Sequence, residues 1–187
     1  MSASQAGAAM TTSQQDMRAK ILAYLRYEDG SLFWKEREHD LFKTKRAAVI
    51  WNKRKANKKA GSISKTTGYE RVCIDWKLID VHRAIFIMFN DEYPAMVDHI
   101  DGNILNNKIE NLRVCTNTQN QYNQKTVRSS SGVKGVYWSK AANKWIASIK
   151  VNSKLKHLGT FSEKEDAIMA RVSAAKSLHG EFFNYGT

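Results

Sequence analysis

A Ser-rich run at 125–132 (KTVRSSSG) divides the chain into two parts whose residue patterns differ. Its composition is that of a linker. With 187 residues in all, two small domains fit better than one large one. The expected organisation is a disordered tail at 1–15, a first domain at 16–124 with a β-rich basic N-terminal region, the linker at 125–132, and a second domain at 133–187. The fold class is α+β. The tail is rich in Ala, Ser, Gln and Thr, without the charged and apolar regions of a secretory signal.

The net charge of +12 sets the class of partner. A strongly basic chain is drawn to phosphate backbones by counterion release. Membrane attachment is not expected, because no apolar run approaches the ~20 residues of a spanning helix and no basic amphipathic helix of the membrane-surface kind is present. Two cysteines, Cys73 and Cys115, stand far apart, so neither a disulfide framework nor a four-cysteine zinc site can form. A reducing, intracellular compartment is expected. Between Lys43 and Lys59 eight basic residues, among them Lys53, Arg54 and Lys55, occur with no acidic one. With Trp51 inside it, this run is expected to be a phosphate-contacting arm.

Local patterns in the first part are short. Residues 16–27 carry Ile21, Leu22 and Leu25 at helical spacing. Asp29-Gly30 is a hairpin turn signal between Tyr27 and the aromatic pair Phe33-Trp34. Val72 and Ile74 alternate with Arg71 and Cys73 as in a strand, residues 78–82 pair back on it, and a short apolar helix follows at 83–89.

The chemistry is concentrated in residues 97–124, VDHIDGNILNNKIENLRVCTNTQNQYNQ. Asp98 and His99 end a short apolar strand. Asp101-Gly102-Asn103 makes a turn, and Asn103, Asn106 and Asn107 suit a loop with side-chain bonds of its own. Residues 112–115 form a second strand, and Thr116 or Thr118 can cap a helix carrying Asn120 and Asn123. Strand, loop, strand and helix can hold one Mg²⁺, which binds oxygen ligands, keeps several waters and needs only one or two protein groups. Asp98 offers a carboxylate and Asn120 an amide oxygen. His99, adjacent to Asp98, points to the other side of its strand and can take a proton from an attacking water.

The ordered set Asp98-His99, Asn111 in ENLR, and Asn120 resembles the HNH (ββα-metal) nuclease motif, in the variant of phage and intron-encoded homing endonucleases whose third signature residue is Asn. The likeness covers residues 24–124, including Gly68-Tyr69 and Val81-His82-Arg83. It implies that Asp98 and Asn120 bind one Mg²⁺ or Mn²⁺, that His99 is the general base, and that Asn111 bonds loop backbone groups and orients His99. Cleavage would leave 5′-phosphate and 3′-hydroxyl ends. His82 reads equally as a contact near the site, with Arg83 on a backbone phosphate, or as a histidine at the edge of the core.

The second part has three strand patterns, at 135–139, 144–151 and 155–161, then an alanine-rich helix that Ser162 and Glu165 are expected to open as a capping box. Ala167, Ala170, Ala174 and Leu178 form the expected buried stripe. Gly135-Val136, Lys144-Trp145, Ile149-Lys150 and Leu158-Gly159-Thr160-Phe161 are similar to the DNA-binding domain of the plant ethylene-response-factor (APETALA-type) family. That likeness implies a sheet laid in the major groove, with Tyr137, Ser139, Lys144, Ser148, Lys150 and His157 facing DNA and Lys134, Lys140 and Lys156 nearby. Tyr137 and Ser139 stand where the plant domains have guanine-reading arginines, and Ser148 where they have a glutamate, so the plant target does not transfer.

The expected protein is thus a homing-type endonuclease acting on double-stranded DNA one strand at a time, dimerising if it makes double-strand breaks. The alternative is a DNA-binding regulator that keeps the same fold without cleavage.

Overall fold

In the computed structural model of the chain, the structure describes residues 9–123, 130–152 and 154–183. The chain divides into two compact units, Met1–Val114 and Cys115–Thr187. Residues 125–129 of the expected linker lie outside the described residues, as do residues 1–8 of the expected tail.

The first unit opens with α1 (Thr12–Tyr24), which starts inside the stretch read as a tail. The cause is a reciprocal cap: the Thr11 hydroxyl accepts from the Gln14 amide, and the Gln14 side chain accepts from the Thr11 amide at 2.9 Å. Met17 and Ile21 are buried. A hairpin follows, β1 (Leu25–Glu28) and β2 (Ser31–Trp34), with Asp29 and Gly30 both at positive φ (42° and 80°) as a two-residue turn of this hand requires. A Cβ on Gly30 would lie 3.1 Å from the Lys108 amide nitrogen, so glycine also lets the turn close onto the 100–111 loop.

The basic run does not form an extended arm. Most of it is α2 (Lys45–Lys55), capped by the Thr44 side chain, with Lys53, Arg54 and Lys55 exposed in its last turn, where cations complement the helix dipole. Trp51 meets Trp34 edge-on at 5.6 Å and lies under the Arg37 guanidinium at 4.3 Å, so its ring packs this helix against β2.

A three-stranded antiparallel sheet comes next, in the order β3 (Ser62–Ile63), β4 (Glu70–Ile74), β5 (Lys77–Asp80). The helix α3 (Val81–Phe89) buries Val81, His82, Ala84, Ile85, Phe86 and Ile87, which is why its sequence is apolar on nearly every side. Then β6 (Val97–His99) pairs antiparallel with β7 (Leu112–Val114). One core joins these pieces: Ile21, Leu25, Leu32, Val72, Ile74, Val81, Ile85, Val97 and Leu112 belong to a single buried cluster.

The second unit has α4 (Asn117–Asn123) and the antiparallel sheet β8 (Val136–Ser139), β9 (Lys144–Val151), β10 (Lys154–Phe161), with β9 central, followed by α5 (Lys164–His179). Val136, Ala147 and Ala167 form its core, with Trp145, Leu158 and Phe161 packed around them. Two details differ from the sequence reading. Glu163 occupies the N-cap of α5 without a side-chain bond, so the Ser162–Glu165 capping box is not formed. The buried stripe is Ala167, Arg171, Ala175 and His179, a spacing of four that leaves Leu178 exposed. Among the described residues, no helix is long and apolar enough to cross a membrane.

Ile21 is fully buried, so Ile21→Ala removes apolar contacts without relief from solvent. It is expected to destabilise the chain by about 2–4 kcal/mol, read as a lower denaturant midpoint with an unchanged slope. No change would mean that α1 is not part of the folded unit.

Candidate active site

The loop between β6 and β7 is organised by its asparagines. The Asn111 side chain accepts from the Asp101 amide at 3.1 Å and donates to the Asn106 carbonyl at 2.8 Å and the Asp101 carboxylate at 2.9 Å. Asp101 accepts in addition from the Asn103 amide and the Asn106 side chain. Burial works to raise the Asp101 pKa, but these bonds outweigh it and hold the carboxyl below its usual value. The hairpin supports the loop from outside, with the Tyr27 hydroxyl accepting from the Ile109 amide at 3.2 Å and Lys108 bonded to Asp29 at 2.7 Å.

Asp98 and His99, adjacent on β6, lie on opposite faces of the two-stranded ribbon. Asp98 pairs with Arg113 directly across on β7, at 3.1 Å from Nη2 and 3.3 Å from Nε. His99 is only 3% exposed; its ring centroid is 4.8 Å from that of His82 and 6.2 Å from that of Tyr69. Its Nε2 lies 2.9 Å from the Asn107 Oδ1, and the Asn107 amide nitrogen reaches Glu70 at 3.5 Å. Glu70 is buried and paired with Lys59 at 2.9 Å. A carboxylate only accepts, so Glu70 takes the NH₂ end of Asn107 and turns its oxygen toward His99. Nε2 then carries the proton, and the acceptor lone pair of the ring lies on Nδ1. His82 is buried beside this ring. Burial, helped by His99 and Arg83, pushes its pKa down to about 3, so it is neutral near pH 7.

The structure therefore brings Asp98, His99, Asn111 and His82 into the first unit around one loop, whereas Asn120 is half-buried on α4 of the second unit. Arg83 donates to the Pro94 carbonyl at 3.0 Å and faces the Tyr93 ring, an engagement that a phosphate contact would have to replace. In the second unit Tyr137, Lys140, Lys144, Lys150, Lys156 and His157 are exposed, and Lys134 is half-buried. Ser148 is 6% exposed, with its hydroxyl bonded to the Gly135 carbonyl, so it does not face DNA. The sequence reading missed Asn107, Glu70, Lys59 and Arg113. Asn107 and Arg113 stand inside the motif it quoted, but Glu70 is 37 residues away from Asn107 and carried no local signal.

Comparison with known proteins identifies the family to which this segment is similar. The family model for HNH endonuclease matches residues 80–122, from the start of α3 to α4. The chain is 33% identical over 90 residues to Protein 3.8 of Escherichia phage T7, covering 48% of this chain and 74% of that one. The chain belongs to the family of that phage protein and carries an HNH endonuclease domain. It is also 32% identical over 119 residues to a protein of Acanthamoeba polyphaga mimivirus named "Uncharacterized HNH endonuclease L560", covering 62% of this chain and 61% of that one. No solved structure matches the chain. An HNH endonuclease domain makes a nuclease the supported class and DNA the implied substrate. HNH nucleases in general use a divalent metal. Among the described residues no three His, Cys, Asp or Glu side chains are grouped to hold one. Asp98 in this segment is a hard oxygen donor of the type that such ions bind, and here it is paired with Arg113.

The buried neutral His82 links stability to pH. Its folded pKa, about 3, lies below the usual 6.5, so the unfolded chain binds a proton that the folded chain refuses. Its contribution is complete above pH 6.5 and is lost as pH falls toward 3, at no more than about 1.4 kcal/mol per pH unit. Denaturant titrations from pH 7 to pH 4 should show this loss, and His82→Leu should flatten it. An equal slope in the variant would contradict the assignment.

Proposed function

We propose that the chain is a metal-dependent, homing-type DNA endonuclease that nicks one strand per visit and leaves 5′-phosphate and 3′-hydroxyl ends. The observation that carries this reading is the 2.9 Å bond between His99 Nε2 and the Asn107 amide oxygen, which holds the imidazole by one ring nitrogen beside the loop of the HNH segment. In this reading His99 takes the proton of the attacking water, and Asn111 holds the loop that keeps the ring in place. Asp98 is the carboxylate ligand of one Mg²⁺ or Mn²⁺, and the resemblance to the motif assigns Asn120 as the second ligand. When bound, the ion supplies positive charge to the phosphate and the leaving 3′ oxygen. Neutral His82 adds no positive charge beside His99. The second unit is proposed as an ethylene-response-factor-like DNA-binding domain; exposed Tyr137, Lys144, Lys150, Lys156 and His157 support that use of its sheet, and buried Ser148 takes no part in it.

One observation favours the second reading, a DNA-binding regulator without cleavage. Asp98 is already held by Arg113, and His99 is nearly closed to solvent. The two readings part on a plasmid assay with Mg²⁺ or Mn²⁺. The nuclease nicks, EDTA stops it, and His99→Ala lowers the rate by roughly 10²–10⁴-fold while duplex binding in EDTA is retained. Absence of nicking by the wild type with either metal favours the regulator, and full activity in His99→Ala refutes the role given to that residue.

Asn107→Leu removes the group that sets the His99 tautomer. It is expected to lower kcat by about 10- to 100-fold with little change in KM. An altered KM with kcat intact would mean that Asn107 acts in binding instead.

A further inference from the structure

The second unit contains a cationic cavity that the cleavage reading does not use. It has a volume of about 490 Å³ and lies between α4, β9 and α5; its lining includes Gln121, Lys134, Gly135, Ser148, Arg171 and His179, and no acidic residue among those described. Arg171, on α5, is 4% exposed. Its Nε is buried without a hydrogen-bond partner. Four other arginines share that feature, but each has something on its guanidinium. Arg18 has Asp91, Arg71 has Asp80, Arg83 has the Pro94 carbonyl, and Arg37 lies over the Tyr24 ring. Arg171 has no ion pair, hydrogen bond or aromatic face among the described residues.

A guanidinium does not shed its proton to escape burial. A charge this deep is costly unless an anion meets it. The surroundings do not relieve it: burial lowers the pKa of Lys134 in the same cavity, and the charge of Arg171 lowers it further. The Lys134 ammonium is held in place by a 2.6 Å bond to the Gln121 carbonyl. His179 stacks on Tyr122 at 3.7 Å and lies 3.2 Å from the Lys150 carbonyl, which closes one wall. Gly135 permits the close approach on the other side. At φ +81°, an added Cβ would fall 2.3 Å from the Ser148 carbonyl oxygen and 2.9 Å from Arg171 Nε. The site is thus built: two cations, one of them fixed by a carbonyl bond, brought together where side chains larger than hydrogen are excluded.

We propose that this cavity binds a phosphoryl group on Arg171 and Lys134. A planar guanidinium fork and an adjacent ammonium match the tetrahedral oxygens of phosphate. The phosphoryl group comes either from a DNA strand or from a free phosphate. The proposal does not depend on cleavage, because binding is read in EDTA.

The test uses the full chain. Inorganic phosphate is titrated calorimetrically against wild type and Arg171→Met at constant ionic strength, and duplex DNA binding is measured for both over a salt series. Phosphate binding that weakens about tenfold or more in the variant, with DNA affinity unchanged, assigns the cavity to free phosphate. DNA affinity that falls equally for unrelated sequences, with the salt slope reduced by about one, assigns it to a strand phosphate. Wild type and variant that agree in both titrations, or a phosphate response reproduced by sodium chloride, overturn the proposal. Lys134→Gln is carried through the same two titrations and keeps the test decisive if Arg171→Met does not fold.

Discussion

The candidate site depends on one side-chain amide. Asn111 stands where the 100–111 loop returns to the ribbon, and its three bonds join Asp101 and Asn106 to the start of β7. An amide can do this because it accepts and donates at once. An aspartate in its place would only accept, and a leucine would leave the Asp101 amide and the Asn106 carbonyl without their bonds. Everything that positions His99 lies on one side or the other of this closure: β6 carries the ring, and the loop carries the Asn107 that fixes its tautomer.

Around that closure the first unit tolerates an unusual amount of buried polarity. His82, His99, Asn107, Asn111, Glu70 and Asp98 are all buried. Buried polar groups are stable only when bonded, and each of these has an identifiable neighbour: Lys59 for Glu70, Arg113 for Asp98, Glu70 for Asn107. His82 avoids the cost of burial by staying neutral. Removing one partner from such a network leaves the other buried and uncompensated, which costs more than the pair contributes.

Local features were legible in the sequence, and long-range ones were not. Asp29-Gly30 announced its hairpin because positive φ at both positions is a local demand. The β6–β7 ribbon and the three strands of the second unit fall close to the stretches expected to be strands. Glu70 could not be placed beside Asn107, since the contact is made by packing β4 against a loop 37 residues away in sequence. Two local patterns take a form that residue type alone does not specify. The basic run of α2 is built of Lys, Arg and Ala, good helix formers, and its Trp51 is used for packing. On α5 the alanines suggested a stripe that avoids charge, whereas the buried face takes in Arg171 and His179. The Thr11–Gln14 cap has the T-x-x-Q pattern of a helix start, although the residues before it are polar and simple.

The core of the first unit crosses the boundary of the segment that matches the HNH family. Val81, Ile85, Val97 and Leu112 lie within residues 80–122, but they pack in one cluster with Ile21, Leu25, Leu32, Val72 and Ile74, which precede it. The hairpin that braces the loop through Tyr27 and Asp29 also precedes it. The motif is consequently not a portable cassette. Excised or grafted elsewhere, it would leave one side of α3 and of the ribbon bare, and a scaffold meant to receive it would have to supply an apolar floor and a brace of its own.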